Sequence, residues 1–174
     1  MSDPRYPLGK FSCSGPLNSE QKEQCLDNIE QTPARFRTVV RGLSDAQLDT
    51  PYRDGGWTIR QLTHHVPESH MNAYIRFKLA LTEDDPTIKP YMEDRWAELP
   101  DARQAPIEPS LALLDALHQR WTTVLRNLTD ADWKRTFRHP ELGPMTLEKT
   151  LALYSWHGRH HVAHVSSLRE KMGW

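Results

Sequence analysis

Apolar residues recur at intervals of three and four positions in four long stretches of the chain, which is the spacing of amphipathic helices. Polar capping residues or proline- and glycine-rich turns stand before these stretches and mark the helix starts. The predicted helices cover residues 18 to about 42, 57 to about 81, 110 to 127 and 146 to about 171. Pro33 and Pro67 are expected to bend the helices that contain them. The pattern predicts an all-α fold, a four-helix bundle formed by a single domain over residues 1–174.

Two segments lack this helical pattern. Residues 1–17 are rich in proline and glycine and are expected to form an N-terminal arm on the surface. Residues 83–109 are interrupted by prolines and predict a long irregular loop between the second and third long helices, with one short helix at 92–99. Loops of this length in a compact domain are usually functional. Tyr91 and Trp96 make this loop a candidate lid over a site, and a loop packed on the surface for structural reasons is the alternative.

An internal repeat relates the two halves of the chain. The stretch RFRTVVRGLSDAQL, which begins at Arg35, resembles RWTTVLRNLTDADW, which begins at Arg120. A long helix led by a threonine, Thr58 or Thr146, follows each copy. The repeat predicts two helix-turn-helix halves that derive from a duplicated helix pair. The alternative is that unrelated helix ends use the same capping residues by chance.

The composition excludes several classes of partner. A net charge of -1 with interspersed signs is not that of a nucleic-acid binder, which needs a basic face. No apolar run reaches the roughly 18 residues that a membrane span requires, and the N-terminus lacks the apolar core of a secretory signal. Cys13 and Cys25 do not form a disulfide framework or a metal-type pair. We therefore expect a cytoplasmic protein with a small-molecule substrate, bound to neither nucleic acid nor membrane.

Seven of the nine histidines fall in two short stretches, residues 64–70 and 157–164, and each stretch lies within a predicted long helix. Neutral imidazole is the commonest side-chain ligand for divalent transition metals. Two histidines four residues apart on one helix, with a third from a facing helix, can build an open three-histidine site. The histidines therefore predict a metal site inside the bundle.

Helical phase separates the candidates on the last helix. His157 and His161 border the apolar stripe that faces the core, whereas His160 and His164 lie progressively further around the helix. The first pair is therefore favoured over the second, which is expected at second-shell or surface positions.

The same argument applies to the second long helix. His65 flanks its apolar stripe, whereas His64 falls on the opposite face and is expected in the second shell or on the surface. His70 also falls near the stripe and is the reserve candidate. Pro67 complicates this prediction because a proline within a helix frees the carbonyl one turn earlier, that of Thr63.

Four segments together resemble the DinB/YfiT-like superfamily, and most closely its YfiT branch of metal-dependent hydrolases, which is related to bacillithiol S-transferases. They are DGGWTIRQLTHH from Asp54, SHMNAYIRFKLALTE from Ser69, WHGRHHVAHV from Trp156 and the closing KMGW. The resemblance covers nearly the whole chain, and the joint signal is more specific than either histidine stretch alone. Pro67 departs from the family pattern, which usually has a helix-forming residue there.

The resemblance implies a four-helix bundle that holds one divalent ion per subunit, zinc or nickel, through three histidines. The family pattern places the ligands at His65, His157 and His161, the same three that helical phase favours. It also implies pairing into a homodimer. Glu68, three residues after His65, is a weak candidate for a second-shell acceptor or general base, and a solvated carboxylate on the helix face is the alternative.

Two chemistries are compatible with such a site. In the first, the metal activates water, and the protein is a hydrolase. In the second, the metal activates the thiolate of a low-molecular-weight thiol such as bacillithiol, and the protein is an S-transferase. A non-catalytic binding protein whose bundle the metal merely staples is the alternative of another class. The absence of a cysteine placed to close the coordination shell favours catalysis, although a fourth histidine such as His160 would also close it.

Overall fold

The four-helix bundle predicted from the sequence is confirmed in the computed structural model, which describes residues 3–174. The elements are α1 (Ser19–Val40), α2 (Asp45–Leu48), α3 (Ile59–Thr82), α4 (Glu93–Trp96), α5 (Pro100–Gln104), α6 (Glu108–Leu125), α7 (Asp130–Trp133), β1 (Thr136–His139), β2 (Gly143–Thr146) and α8 (Leu147–Met172). The helices α1 and α3 run without interruption through Pro33 and Pro67. Within residues 3–174, no helix combines the length and the apolar character needed to cross a membrane.

The region before α8 differs from the prediction, because it contains an antiparallel hairpin of β1 and β2 where only a turn was expected. Phe137 pairs with Met145 across the hairpin, and both side chains are buried in the core. Each strand has four residues, and a run this short shows too little alternation to be recognised in the sequence. The long loop also contains two short helices, α4 and α5, where one was predicted.

The long helices pack so that neither half of the chain encloses a core of its own. Helix α1 packs chiefly against α6 and α8, and α3 packs chiefly against the same two helices. The two long helices of each half therefore lie across the bundle from each other, and the halves interleave.

The two halves repeat the same local structure, as the internal repeat predicts. In each half a short helix, α2 or α7, is followed by a segment that folds back to the start of a long helix, a turn after α2 and the hairpin of β1 and β2 after α7. The N–H of Ile59 donates to the carbonyl of Thr50 at 3.1 Å, and the N–H of Leu147 donates to the carbonyl of Arg135 at 3.0 Å. Thr50 and Arg135 occupy equivalent positions in the aligned copies, so the two long helices start from equivalent anchors.

The core consists of two apolar clusters with polar side chains between them. Phe77, Trp121 and Leu151 belong to one cluster, and Leu62 and Leu114 belong to the other. Along each long helix, the positions of the two clusters are separated by buried or half-buried polar residues. These are Thr32 on α1, His70 on α3, His118 on α6, and His157 and His161 on α8.

The segment 83–109 is tied to the outer face of α3. Gln61 Nε2 donates to the Ala97 carbonyl at 2.8 Å, and an Arg60 terminal nitrogen donates to the Ala105 carbonyl at 3.1 Å. His64 Nε2 lies 3.3 Å from the Ala105 carbonyl oxygen of the segment, and its Nδ1 lies 2.7 Å from Ser110 Oγ on α6. Of the two positions expected for His64, the surface one is excluded because the segment covers the face of α3 that points away from the bundle, and a position behind the ligands stays a prediction.

Helix α8 packs closely against α1 at Gly158, where there is no room for a side chain. A Cβ atom at this position would lie 2.6 Å from Thr32 Oγ1 and 2.9 Å from Thr32 Cγ2. Thr32 Oγ1 is held by a 2.7 Å hydrogen bond to the Asn28 carbonyl, so it does not move aside freely. Because Gly158 lies between His157 and His161, this contact sets the distance of the histidine pair from α1.

We predict that Gly158→Ala lowers the free energy of unfolding. Overpacking costs about 1–3 kcal/mol, which exceeds the roughly 1 kcal/mol that alanine gains over glycine within a helix. Denaturant unfolding of both proteins measures the difference. In a Thr32→Ala background the same substitution should cost less or become stabilising, and an equal effect in both backgrounds would contradict the proposed contact.

Candidate metal centre

Three histidines from two helices converge at one point of the bundle. His157 and His161 lie one turn apart on α8, and His65 faces them from α3, so that one ring nitrogen of each lies within 4.8 Å of the others. His157 Nε2 and His161 Nε2 are 3.1 Å apart. These are the three residues that helical phase selected. The structure brings them together, and their role as ligands stays a prediction.

The geometry and protonation of this group fit a divalent ion. Two zinc–nitrogen bonds of about 2.0–2.1 Å at a tetrahedral angle would separate the two nitrogens by about 3.3 Å. His65 and His161 are 4% and 7% exposed. Burial lowers the pKa of His65 to about 4, and burial together with the neighbouring imidazoles holds the pKa of His157 and His161 well below the ordinary range. The rings are therefore neutral near pH 7, the form that coordinates metals.

A cavity of about 440 Å³ opens beside the three histidines. Both irregular segments of the chain contribute to its wall: Arg5 and Tyr6 come from the N-terminal arm, and Glu93 and Asp94 come from α4. Trp57, just before α3, packs with its ring centroid 4.7 Å from that of His65. The bundle thus supplies the histidines, and the non-helical segments shape the space in front of them.

His160 and His164 are buried in the adjoining wall of this cavity, so of the two positions expected for them the surface one is excluded and a position beside the ligands stays a prediction. The His160 ring stacks on Trp156 at 4.2 Å, and the His164 ring stacks on Tyr52 at 4.4 Å. Burial lowers the pKa of each of these histidines to about 4. In the part of the chain that the structure describes, His160 does not join the three convergent histidines as a fourth donor.

Glu68 lies apart from the cavity that the histidines line. Burial and the nearby Asp101 carboxylate raise the pKa of Glu68 to about 7. A general-base role for Glu68 stays a prediction. The carboxylates in the cavity wall are those of Glu93 and Asp94, which sequence reasoning missed. Their signal was weak because they lie on a four-residue helix within the irregular segment.

His70, the reserve candidate, lies behind the three histidines. Its Nε2 is 3.1 Å from His157 Nδ1, and its Nδ1 is 2.8 Å from His118 Nε2. His118 Nδ1 in turn lies 2.7 Å from the carbonyl oxygen of Ile29. Sequence reasoning did not consider His118, although an imidazole on the apolar face of α6, one turn before Trp121, was a usable signal.

Comparison with known proteins agrees with this architecture. The model of the DinB superfamily matches residues 28–165. A Bacillus mycoides protein is 52% identical over 174 residues, and a Bacillus cereus protein is 51% identical over 174 residues, with 100% of both chains covered in each case. Both carry names that assign them provisionally to the metal-dependent hydrolases.

Two solved structures resemble the fold. YfiT from Bacillus subtilis, described as a probable metal-dependent hydrolase with an unusual four-helix bundle topology, is 50% identical with a TM-score of 0.95 and covers 98% of each chain. The four-helix bundle protein TT2238 matches with a TM-score of 0.59 at 20% identity, over 84% of this chain and 98% of that one, and shows the fold alone. By the family model and by these full-length relatives, the chain belongs to the DinB superfamily.

Proposed function

We propose that the protein is a metal-dependent hydrolase in which His65, His157 and His161 hold one divalent ion, zinc or nickel, per chain. The observation that carries the proposal is the convergence of three neutral imidazoles, two buried and one half-buried, at the edge of a 440 Å³ cavity. A purely structural site is normally closed by a fourth protein ligand. Here the group borders a cavity of substrate size, which favours catalysis over a metal that only staples the bundle. The names of the full-length relatives support the same class of activity.

The residues around the cavity have different roles in the proposed hydrolysis. When bound, the ion supplies a Lewis acid that makes water more acidic and polarises a carbonyl group. The three histidines stay neutral and keep their lone pairs for coordination. Glu93 and Asp94 line the same cavity, and we propose them as the bases that accept the proton of the attacking nucleophile. Glu68, which does not line this cavity, is the alternative base.

Activation of a low-molecular-weight thiol such as bacillithiol is the second candidate function. Three neutral ligands leave the ion its full charge, which stabilises a thiolate. Cys13 and Cys25, the two cysteines of the chain, line a different cavity between the N-terminal arm and the helices α1 and α8, so the thiol would have to come from a small molecule.

The cellular setting is part of the same proposal. We infer a cytoplasmic homodimer with a small-molecule substrate. Two unbridged, partly buried cysteines support a reducing compartment, and pairing through the bundle helices is what the family resemblance implies.

Metal content tests the site directly. Protein purified without chelators should carry close to one equivalent of zinc or nickel per chain, measured by elemental analysis. His65→Ala and His161→Ala should each remove the ion. His160→Ala, on the same helix and equally buried, is the matched control and should keep it. Substoichiometric metal in the wild type, or full retention in His161→Ala, would reject the assignment.

Activity distinguishes the two chemistries. Metal-loaded protein should hydrolyse members of an ester and amide panel, and bacillithiol with a chlorobimane dye tests the transferase alternative. Glu93→Gln should lower kcat by about 10²–10⁴-fold, the usual contribution of a general base, with Glu68→Gln as the control carboxylate. A larger loss in Glu68→Gln would move the base to that residue, and metal-dependent turnover with the thiol alone would favour the transferase.

Acid should destabilise the metal-free protein. Burial lowers the pKa of His118 to about 4, whereas a histidine in the unfolded chain titrates near 6.5. The unfolded state therefore binds more protons between these values, and this one residue costs about 3 kcal/mol of stability as the pH falls from 6.5 to 4. Unfolding of chelated protein across this window measures the loss. His118→Gln should reduce proton uptake on unfolding at pH 5 by about one, and an unchanged uptake would contradict the pKa shift.

A further inference from the structure

A chain of three hydrogen bonds crosses the whole bundle behind the candidate metal centre. It runs from His157 on α8 through His70 on α3 and His118 on α6 to the carbonyl of Ile29 on α1. Each of the four long helices contributes one member. His70 is completely buried and His118 is 2% exposed, so neither ring is able to replace these bonds with bulk water.

The carbonyl at the end of the chain is available because of a proline. In a regular α-helix the Ile29 carbonyl accepts a hydrogen bond from the N–H four residues later. That residue is Pro33, which has no N–H. The proline therefore leaves an acceptor inside the bundle, and His118 Nδ1 occupies it at 2.7 Å.

The Ile29 carbonyl determines which ring nitrogen carries the hydrogen in each of the three histidines. A carbonyl oxygen only accepts, so His118 Nδ1 carries the hydrogen, and its Nε2 in the neutral ring has a free lone pair. His70 Nδ1 must then donate to His118 Nε2, which leaves His70 Nε2 as an acceptor. His157 Nδ1 donates to His70 Nε2. The Nε2 of His157 therefore keeps its lone pair and faces His161 and the candidate metal centre.

We propose that His70 and His118 are positioning residues, which lock His157 in the Nδ1–H tautomer and aim its Nε2 lone pair into the metal centre. The inference about metal binding rests on the proposed function, whereas the tautomer of His157 is a property of the metal-free protein. A metal-bound histidine usually donates its other N–H to a carboxylate, a carbonyl or water. Here the carbonyl acts at a distance, through two further imidazoles.

The other two histidines of the group lack this support. Within residues 3–174, His65 Nδ1 and His161 Nδ1 are buried and have no hydrogen-bond partner. His157 is thus the member of the group whose ring is fixed from behind. Loss of the hydrogen bonds through His70 and His118 should therefore lower the metal affinity of the site by about 10–100-fold, although neither residue lines the cavity.

Matched substitutions at position 70 separate positioning from packing. His70→Gln places an amide oxygen near the original Nε2 and keeps an acceptor for His157, whereas His70→Leu fills the space without one. Two-bond ¹H–¹⁵N spectra of the metal-free proteins should show His157 as the Nδ1–H tautomer in the wild type and in His70→Gln. In His70→Leu the Nε2–H form should appear. His118→Leu should shift His157 less, and His118→Gln should restore the wild-type spectrum.

Zinc affinity, measured by competition with a chromophoric chelator, gives the second readout. His70→Leu should bind about 10–100-fold more weakly than the wild type, and His70→Gln should recover most of this loss, with thermal melting confirming that both metal-free variants fold. An Nε2–H tautomer of His157 in the wild type, or an unchanged tautomer in a folded His70→Leu, would overturn the proposal. If the tautomers are as described but the wild type binds no metal, the positioning chain stands and the proposed function fails.

Discussion

The burial of His70 in the middle of an apolar bundle is the constraint on which the arrangement of the long helices depends. Both ring nitrogens are out of reach of solvent, and an unpaired buried polar group costs several kcal/mol. The partners come from three other helices, through His118 and His157 directly and through the Ile29 carbonyl at the end of the chain. Apolar packing alone tolerates small sliding of one helix on another, whereas bonds of 2.7–3.1 Å do not. These hydrogen bonds therefore fix the relative position of the four long helices at the level of the convergent histidines.

The close approach at Gly158 serves the same level of the bundle. It brings α8 against Thr32 of α1, between the two histidines that α8 contributes. Residues of the N-terminal arm and of α4 line the cavity beside these histidines. The long helices thus hold the histidines, and the two irregular segments line the space in front of them. In the proposed enzyme, specificity would then vary with these segments while the histidine geometry stays constant.

Sequence reasoning found the histidine group because His65, His157 and His161 lie at the edge of apolar stripes with a regular period. It left His64, His160 and His164 undecided between a position beside the ligands and the surface, because helical phase locates only the face that meets the bundle. The outer faces of α3 and α8 are covered by segments without periodicity, which no pattern within one helix reports. His118 was missed because its partner is a carbonyl freed by Pro33, 85 residues earlier in the chain. The hairpin of β1 and β2 escaped because its strands are too short for an alternation pattern.

The row of hydrogen bonds that supports His157 ends on the neutral Ile29 carbonyl and not on a carboxylate. A carboxylate in that place would share negative charge with the imidazole and make it a stronger ligand. Two neutral imidazoles and a carbonyl do not, so an ion held here would keep nearly its full positive charge. Glu93 and Asp94 are the carboxylates among the described residues that line the cavity. The site would therefore draw an anionic or readily deprotonated group toward the ion. In the proposed enzyme, the choice between water and a thiol would then fall to the cavity wall, because the three neutral histidines are compatible with both.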